Sequence, residues 1–159
     1  MAEHHGPDGP DPMRAAAVDD AAPALLAAWD AARERMTPRL SWPQLNALLV
    51  IEREQGINLR GLAGQLKMIL SSASRLCDRL VASGMVERVP GQADRREIAL
   101  YLTPASRQLL ERLRATRREL LAEVLERMTS AGRTALVRGL TEFAAAADPG
   151  AAAETARTA

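Results

Sequence analysis

The chain has a single cysteine, Cys77, in 159 residues, so no internal disulfide can form and a reducing compartment is implied. Its two histidines, His4 and His5, lie side by side near the N-terminus. Neither belongs to a cysteine or carboxylate cluster with metal-ligand spacing, so no metal is expected. No nucleophile–base pair and no glycine loop able to cradle phosphate is visible. An enzyme is therefore not expected, and neither is a cofactor. No apolar run approaches the ~20 residues that cross a bilayer. The first residues lack the basic-then-apolar order of a secretion signal. The expectation is a soluble cytoplasmic protein with no membrane partner. The formal net charge is only +1, which by itself names no partner.

What is present is unevenly distributed. Residues 1–20 carry Glu3, Asp8, Asp11, Asp19 and Asp20 against Arg14. Residues 55–103 hold seven basic residues against four acidic ones, a local excess of +3. In the same stretch, Met85-Val86-Glu87-Arg88-Val89 roughly alternates apolar and charged residues. A Pro90-to-Asp94 loop follows. The run from Arg96 to Leu102 then alternates again, with Ile98, Leu100 and Leu102 on one face. A helical segment, 71–82, comes directly before. Strand, arginine-bearing loop and strand behind a helix rich in Ser and Arg read as a winged helix-turn-helix. That architecture offers a helix to a major groove and a loop to the neighbouring minor groove.

The residues Leu62-Ala63, Ser71-Ser72, Arg75-Leu76, Asp78-Arg79-Leu80, Gly84, Val86-Glu87-Arg88, Asp94-Arg95-Arg96 and Leu102-Thr103 carry a specific likeness. Residues 58–103 resemble the DNA-binding lobe of the multiple-antibiotic-resistance regulator (MarR) family of bacterial transcription factors. With its helical flanks the resemblance covers about 23–147. Two positions depart from the family pattern. Lys67 stands where a glycine is usual, and Ile69 where a Ser or Thr cap is usual. Ile69 cannot cap, which leaves Ser71 as an alternative cap.

The expected fold is mostly α (α+β). A winged helix-turn-helix lobe with a two-stranded wing occupies about 41–103. Helices at about 23–36 and 104–147 form a dimerisation lobe. Residues 21–147 are expected to be one domain of ordinary size, with disordered tails at 1–20 and 148–159. A first helix runs from near Pro23 to Met36, with Leu25, Trp29, Ala32 and Met36 as its stripe. Ser41 and Gln44 form a capping box for a second helix, with Pro43 harmless in its first turn. Asn58 is the best cap for a third. Thr103 and Pro104 open a long helix to about Met128, and Thr129 or Ser130 caps the last. The leucine stripes of these terminal helices exceed what a small winged lobe covers, so a homodimer is expected.

In the recognition helix, Ala73, Leu76, Cys77 and Leu80 fall on the core face. Ser71, Ser72, Ser74, Arg75, Asp78 and Arg79 are left on or beside the outer face. Serine and arginine there can hydrogen-bond base edges, and Lys67 can meet a phosphate. Cys77 on the core face reads as an inert thiol. The resemblance implies that Arg96 enters a minor groove braced by Asp94, with Arg95 as the neighbouring alternative. It also implies a ligand-responsive repressor that binds a pseudo-palindromic duplex. The effector would be a small aromatic or phenolic molecule, with Trp29, Arg33, Met36 and Trp42 as pocket candidates. The other reading is a dimeric small-molecule-binding or interaction module that has lost DNA binding.

Overall fold

The structure, a computed structural model, describes residues 11–90 and 98–147. Of the expected disordered tail at 1–20, residues 12–20 are helical, whereas residues 1–10, the expected tail at 148–159 and the wing residues Asp94, Arg95 and Arg96 lie outside the described residues. The described residues form two compact units, parted within one helix between Arg118 and Glu119. A single domain was the expectation from the sequence.

Helix α1 spans Pro12–Glu34, eleven residues earlier than expected. Asp11 caps it, its carboxylate accepting from the Met13 amide at 3.0 Å, and Pro12 takes a first-turn place where no N–H is needed. Pro23 therefore sits inside the helix instead of opening it. Residues 11–21 are all exposed, so this first half owes its helicity to the cap and to alanine propensity. An early turn that buries nothing leaves no apolar period to read.

Helix α2, Trp42–Arg53, starts on the expected capping box, with both reciprocal hydrogen bonds between Ser41 and Gln44 present. It buries Leu45, Ala47, Leu48, Val50 and Ile51. Gly56 then turns the chain at φ +88°, and its amide donates to the Leu100 carbonyl at 3.0 Å. That places β1, Ile57–Asn58, against the later strands. Strands β2, Val86–Pro90, and β3, Ile98–Leu102, pair antiparallel, and the sheet order is β1-β3-β2. The sheet therefore has three strands where two were expected. A two-residue strand is too short to show a period. On β3, Leu100 and Leu102 are buried as expected, but Ile98 is 50% exposed. It pairs with Pro90, the outermost described pair of the ladder.

Helices α3, Leu59–Gln65, and α4, Leu70–Ala82, pack on this sheet with α2. Helix α5, Pro104–Glu126, brings Leu109, Leu110 and Leu113 into the core of the first unit. Arg114 forms a two-pronged ion pair with Glu52 of α2, one arm at 2.9 Å. The second unit is the end of α5 and α6, Ser130–Ala147. Thr129 caps α6 by accepting from the Gly132 amide at 3.1 Å. No residue of α6 is buried.

Candidate nucleic-acid interface

The α3–α4 connection is set by backbone hydrogen bonding. Asn58 opens α3 by accepting from the Gly61 amide at 2.8 Å. At the other end, the Met68 amide reaches the Ala63 carbonyl at 2.9 Å and the Lys67 amide reaches Gly64 at 3.1 Å. These two bonds are the Schellman ending, which needs a left-handed residue between them. Lys67 supplies it at φ +52°. This is the position where the family resemblance expects glycine, and the backbone demands what glycine would give freely. The same ending closes α4 through Met85 to Leu80 and Gly84 to Val81, both at 2.9 Å, with Gly84 at φ +69°.

Ile69 is the N-cap of α4, in extended geometry, and makes no side-chain cap bond. Ser71 does not replace it, because the helix already begins at Leu70. From there the helix is strongly two-faced. Ala73, Leu76, Cys77 and Leu80 are buried, as their spacing predicts. Ser71, Arg75, Asp78 and Arg79 are exposed, and Ser72 and Ser74 are partly so. Lys67 is exposed just ahead of them. Asp78 pairs with Arg88 of β2 at 2.8 Å, tying the outer side of the helix to the sheet and neutralising the one carboxylate on that face. Thr103 locks the far side: its hydroxyl donates to the Gly84 carbonyl at 2.8 Å and accepts from the Ser106 amide at 3.3 Å. A rigid frame thus presents serine and arginine on one helical face.

Burial pushes the Cys77 thiol above its ordinary pKa; Arg88 acts in the opposite direction and Asp78 adds to the rise. Fully covered and protonated, it has little thiolate to offer.

Of the four candidate pocket residues, Trp29 and Arg33 lie one turn apart on α1, Met36 just past its end, and Trp42 at the start of α2. Arg117 lies over the Trp29 ring at 4.4 Å from its centroid, a cation–π contact between α5 and α1. Burial, then the neighbouring Arg114, lowers the pKa of Arg117. Arg33 pairs with Asp30 at 3.5 Å. Trp42 is 57% exposed on the first turn of α2. Met36 lines a cleft of about 230 Å³ between α1 and α5, with Ala32, Arg35, Thr37, Leu109, Arg112, Leu113 and Thr116. Arg35, Arg112 and Thr116 were not candidates in the sequence, since only the pairing of two distant helices makes them neighbours. Among the described residues no group of three or more His, Cys, Asp or Glu could hold a metal ion. No described helix is long and apolar enough to cross a membrane.

A family model described as MarR family matches residues 40–98, the stretch that contains the helix-turn-helix and most of the sheet. Over those residues the chain is similar to the MarR family. The fold likeness extends beyond that stretch: the structure of a MarR family protein from Bacillus stearothermophilus, 19% identical, superposes with a TM-score of 0.70 over 85% of this chain and 96% of its own. The crystal structure of RV1404 from Mycobacterium tuberculosis is 29% identical and superposes with a TM-score of 0.79 over 90% of this chain and 98% of its own. The HTH-type transcriptional regulator TtmR of Methylorubrum extorquens (strain PA1) is 33% identical over 70 residues, 44% of this chain and 36% of TtmR. The uncharacterized HTH-type transcriptional regulator YfiV of Bacillus subtilis (strain 168) is 27% identical over 107 residues, 67% of each chain. The chain thus spans little more than a third of TtmR and about two thirds of YfiV.

Proposed function

We propose that this protein is a transcriptional regulator of the MarR type, not an enzyme, that binds double-stranded DNA as a homodimer and represses until a small aromatic or phenolic effector releases it. The observation that carries the reading is the outer face of α4, where serines and arginines stand exposed on a helix held rigid by the Schellman turn and the Asp78–Arg88 pair. Arg75 and the serines 71, 72 and 74 meet base edges in the major groove. Arg79 and Lys67 meet phosphates. Asp94, Arg95 and Arg96 serve the wing at the minor groove. The names of TtmR and YfiV agree with this role.

Two α4 helices of a dimer meet successive major grooves, with half-sites about 10 bp apart. The cleft at Met36, flanked by Arg35 and Arg112, suits a small apolar acid better than the original four-residue set does. The deciding experiment is fluorescence anisotropy with the promoter fragment of the protein's own gene and a scrambled duplex, across a salt series. Specific binding exceeds non-specific binding by at least ~10³-fold in this class of complex. Equal, weak binding to both duplexes would reject the regulator reading.

A further inference from the structure

Ile69 breaks the pattern of the face around it. By spacing it belongs with Ala73 in the buried stripe, four residues on. Its backbone is extended instead, φ −68° and ψ 147°, which swings it off that stripe and leaves it 71% exposed. Leu70 follows at 45% exposure. The leading end of α4 is therefore an apolar step, next to exposed Lys67 and ahead of Ser71 and Arg75. An isoleucine at an N-cap forgoes the hydrogen bond that serine, threonine or aspartate would make there. It also holds an aliphatic side chain in water.

We infer that Ile69, flanked by Leu70, reads a thymine methyl group in the operator and so sets specificity at one base pair of each half-site. This rests on the DNA-binding reading above. Among the base edges in the major groove, the C5-methyl of thymine is the one apolar feature, and aliphatic side chains recognise it by contact. The Lys67, Arg75 and Arg79 charges alongside favour the polyanion over an apolar protein partner. The side chain sits at the end of the helix that leads into the groove in helix-turn-helix docking.

The test uses the full chain and the promoter duplex that it binds, with each thymine of the protected region replaced in turn by 2′-deoxyuridine. This removes one methyl and leaves every hydrogen bond. Burial of one such carbon is worth about a 4-fold change in affinity, so about 15-fold when both half-sites are altered. The expected result is such a loss at one thymine per half-site for the wild type, and no thymine–uracil discrimination at that place for Ile69→Ser. As an exposed residue gaining a better cap, Ile69→Ser folds, which circular dichroism checks. Wild type that binds the promoter yet ignores every thymine-to-uracil change overturns the inference and leaves the regulator reading intact. A change of oligomeric state in Ile69→Ser, with methyl sensitivity unaltered, overturns it in favour of a protein contact. Failure to bind any promoter fragment overturns the regulator reading and the inference together.

Discussion

Lys67 and Gly84 occupy the same place in two copies of one helix ending, and only one of them is at ease there. A left-handed conformation costs an ordinary residue about 1–2 kcal/mol, while glycine loses about 0.5–1 kcal/mol more than alanine in backbone freedom on folding. Lys67→Gly should therefore raise stability by up to about 1 kcal/mol, read as a higher urea midpoint at unchanged slope. If the lysine also meets a phosphate, the same variant should lower the salt dependence of DNA binding by about 0.9 per protomer. Cys77 makes a second residue-scale case. Cys77→Ser puts a hydroxyl into an apolar contact and should cost about 1–3 kcal/mol. The native thiol should resist iodoacetamide and react only in denaturant, as followed by intact mass. Because the folded thiol keeps its proton to higher pH than the unfolded one, its contribution is complete below the unfolded pKa and is lost as pH rises above it.

At the scale of elements, α4 divides its labour between faces. The buried stripe fixes its position, and the exposed one is free to recognise. Arg75→Ala should leave the melting temperature nearly unchanged, since the side chain is exposed and has no ion-pair partner among the described residues. It should cost about 1–3 kcal/mol on the operator and little on scrambled DNA, measured by anisotropy at fixed salt. Equal losses on both duplexes would reassign Arg75 to a phosphate. Glu52 and Arg114 join α2 to α5 by a partly exposed pair, and the hydrogen bond to Glu52 raises the Arg114 pKa. Solvent screening keeps that pair to about 1 kcal/mol at most, so α5 is held mainly by its buried leucines.

For the whole molecule, the uncovered apolar surface is the dominant fact. Leu136, Val137, Leu140 and Phe143 of α6 are all exposed in the single chain, as are Val18 and Leu26 of α1. Each apolar side chain covered in a dimer contributes about 1.5–3 kcal/mol, and two-fold symmetry counts each one twice. The protein should sediment at twice the chain mass of 17.2 kDa. Phe143→Glu should weaken that dimer by at least ~100-fold while leaving the helical content of each chain intact, because its side chain is largely exposed in the single chain. A wild-type monomer at micromolar concentration would refute the assembly.

The amino-acid pattern alone determined the elements that carry their own local cause. Ser41 with Gln44, Asn58, Thr103 and Thr129 are caps written in residue type. The stripe Ala73, Leu76, Cys77 and Leu80 is a helical period that can face only inward. From these came the helix-turn-helix and the exposed face of α4. Tertiary structure alone decided what depends on distant partners. The two residues of β1 become a strand because β3 accepts them. Arg117 meets Trp29, and the cleft at Met36 closes, because α1 and α5 lie side by side. Ile69 is exposed although its spacing predicts burial, because one extended residue before the helix turns it out of the stripe. Side-chain periodicity is local and survives in the sequence, whereas pairings between remote segments depend on how the whole core closes.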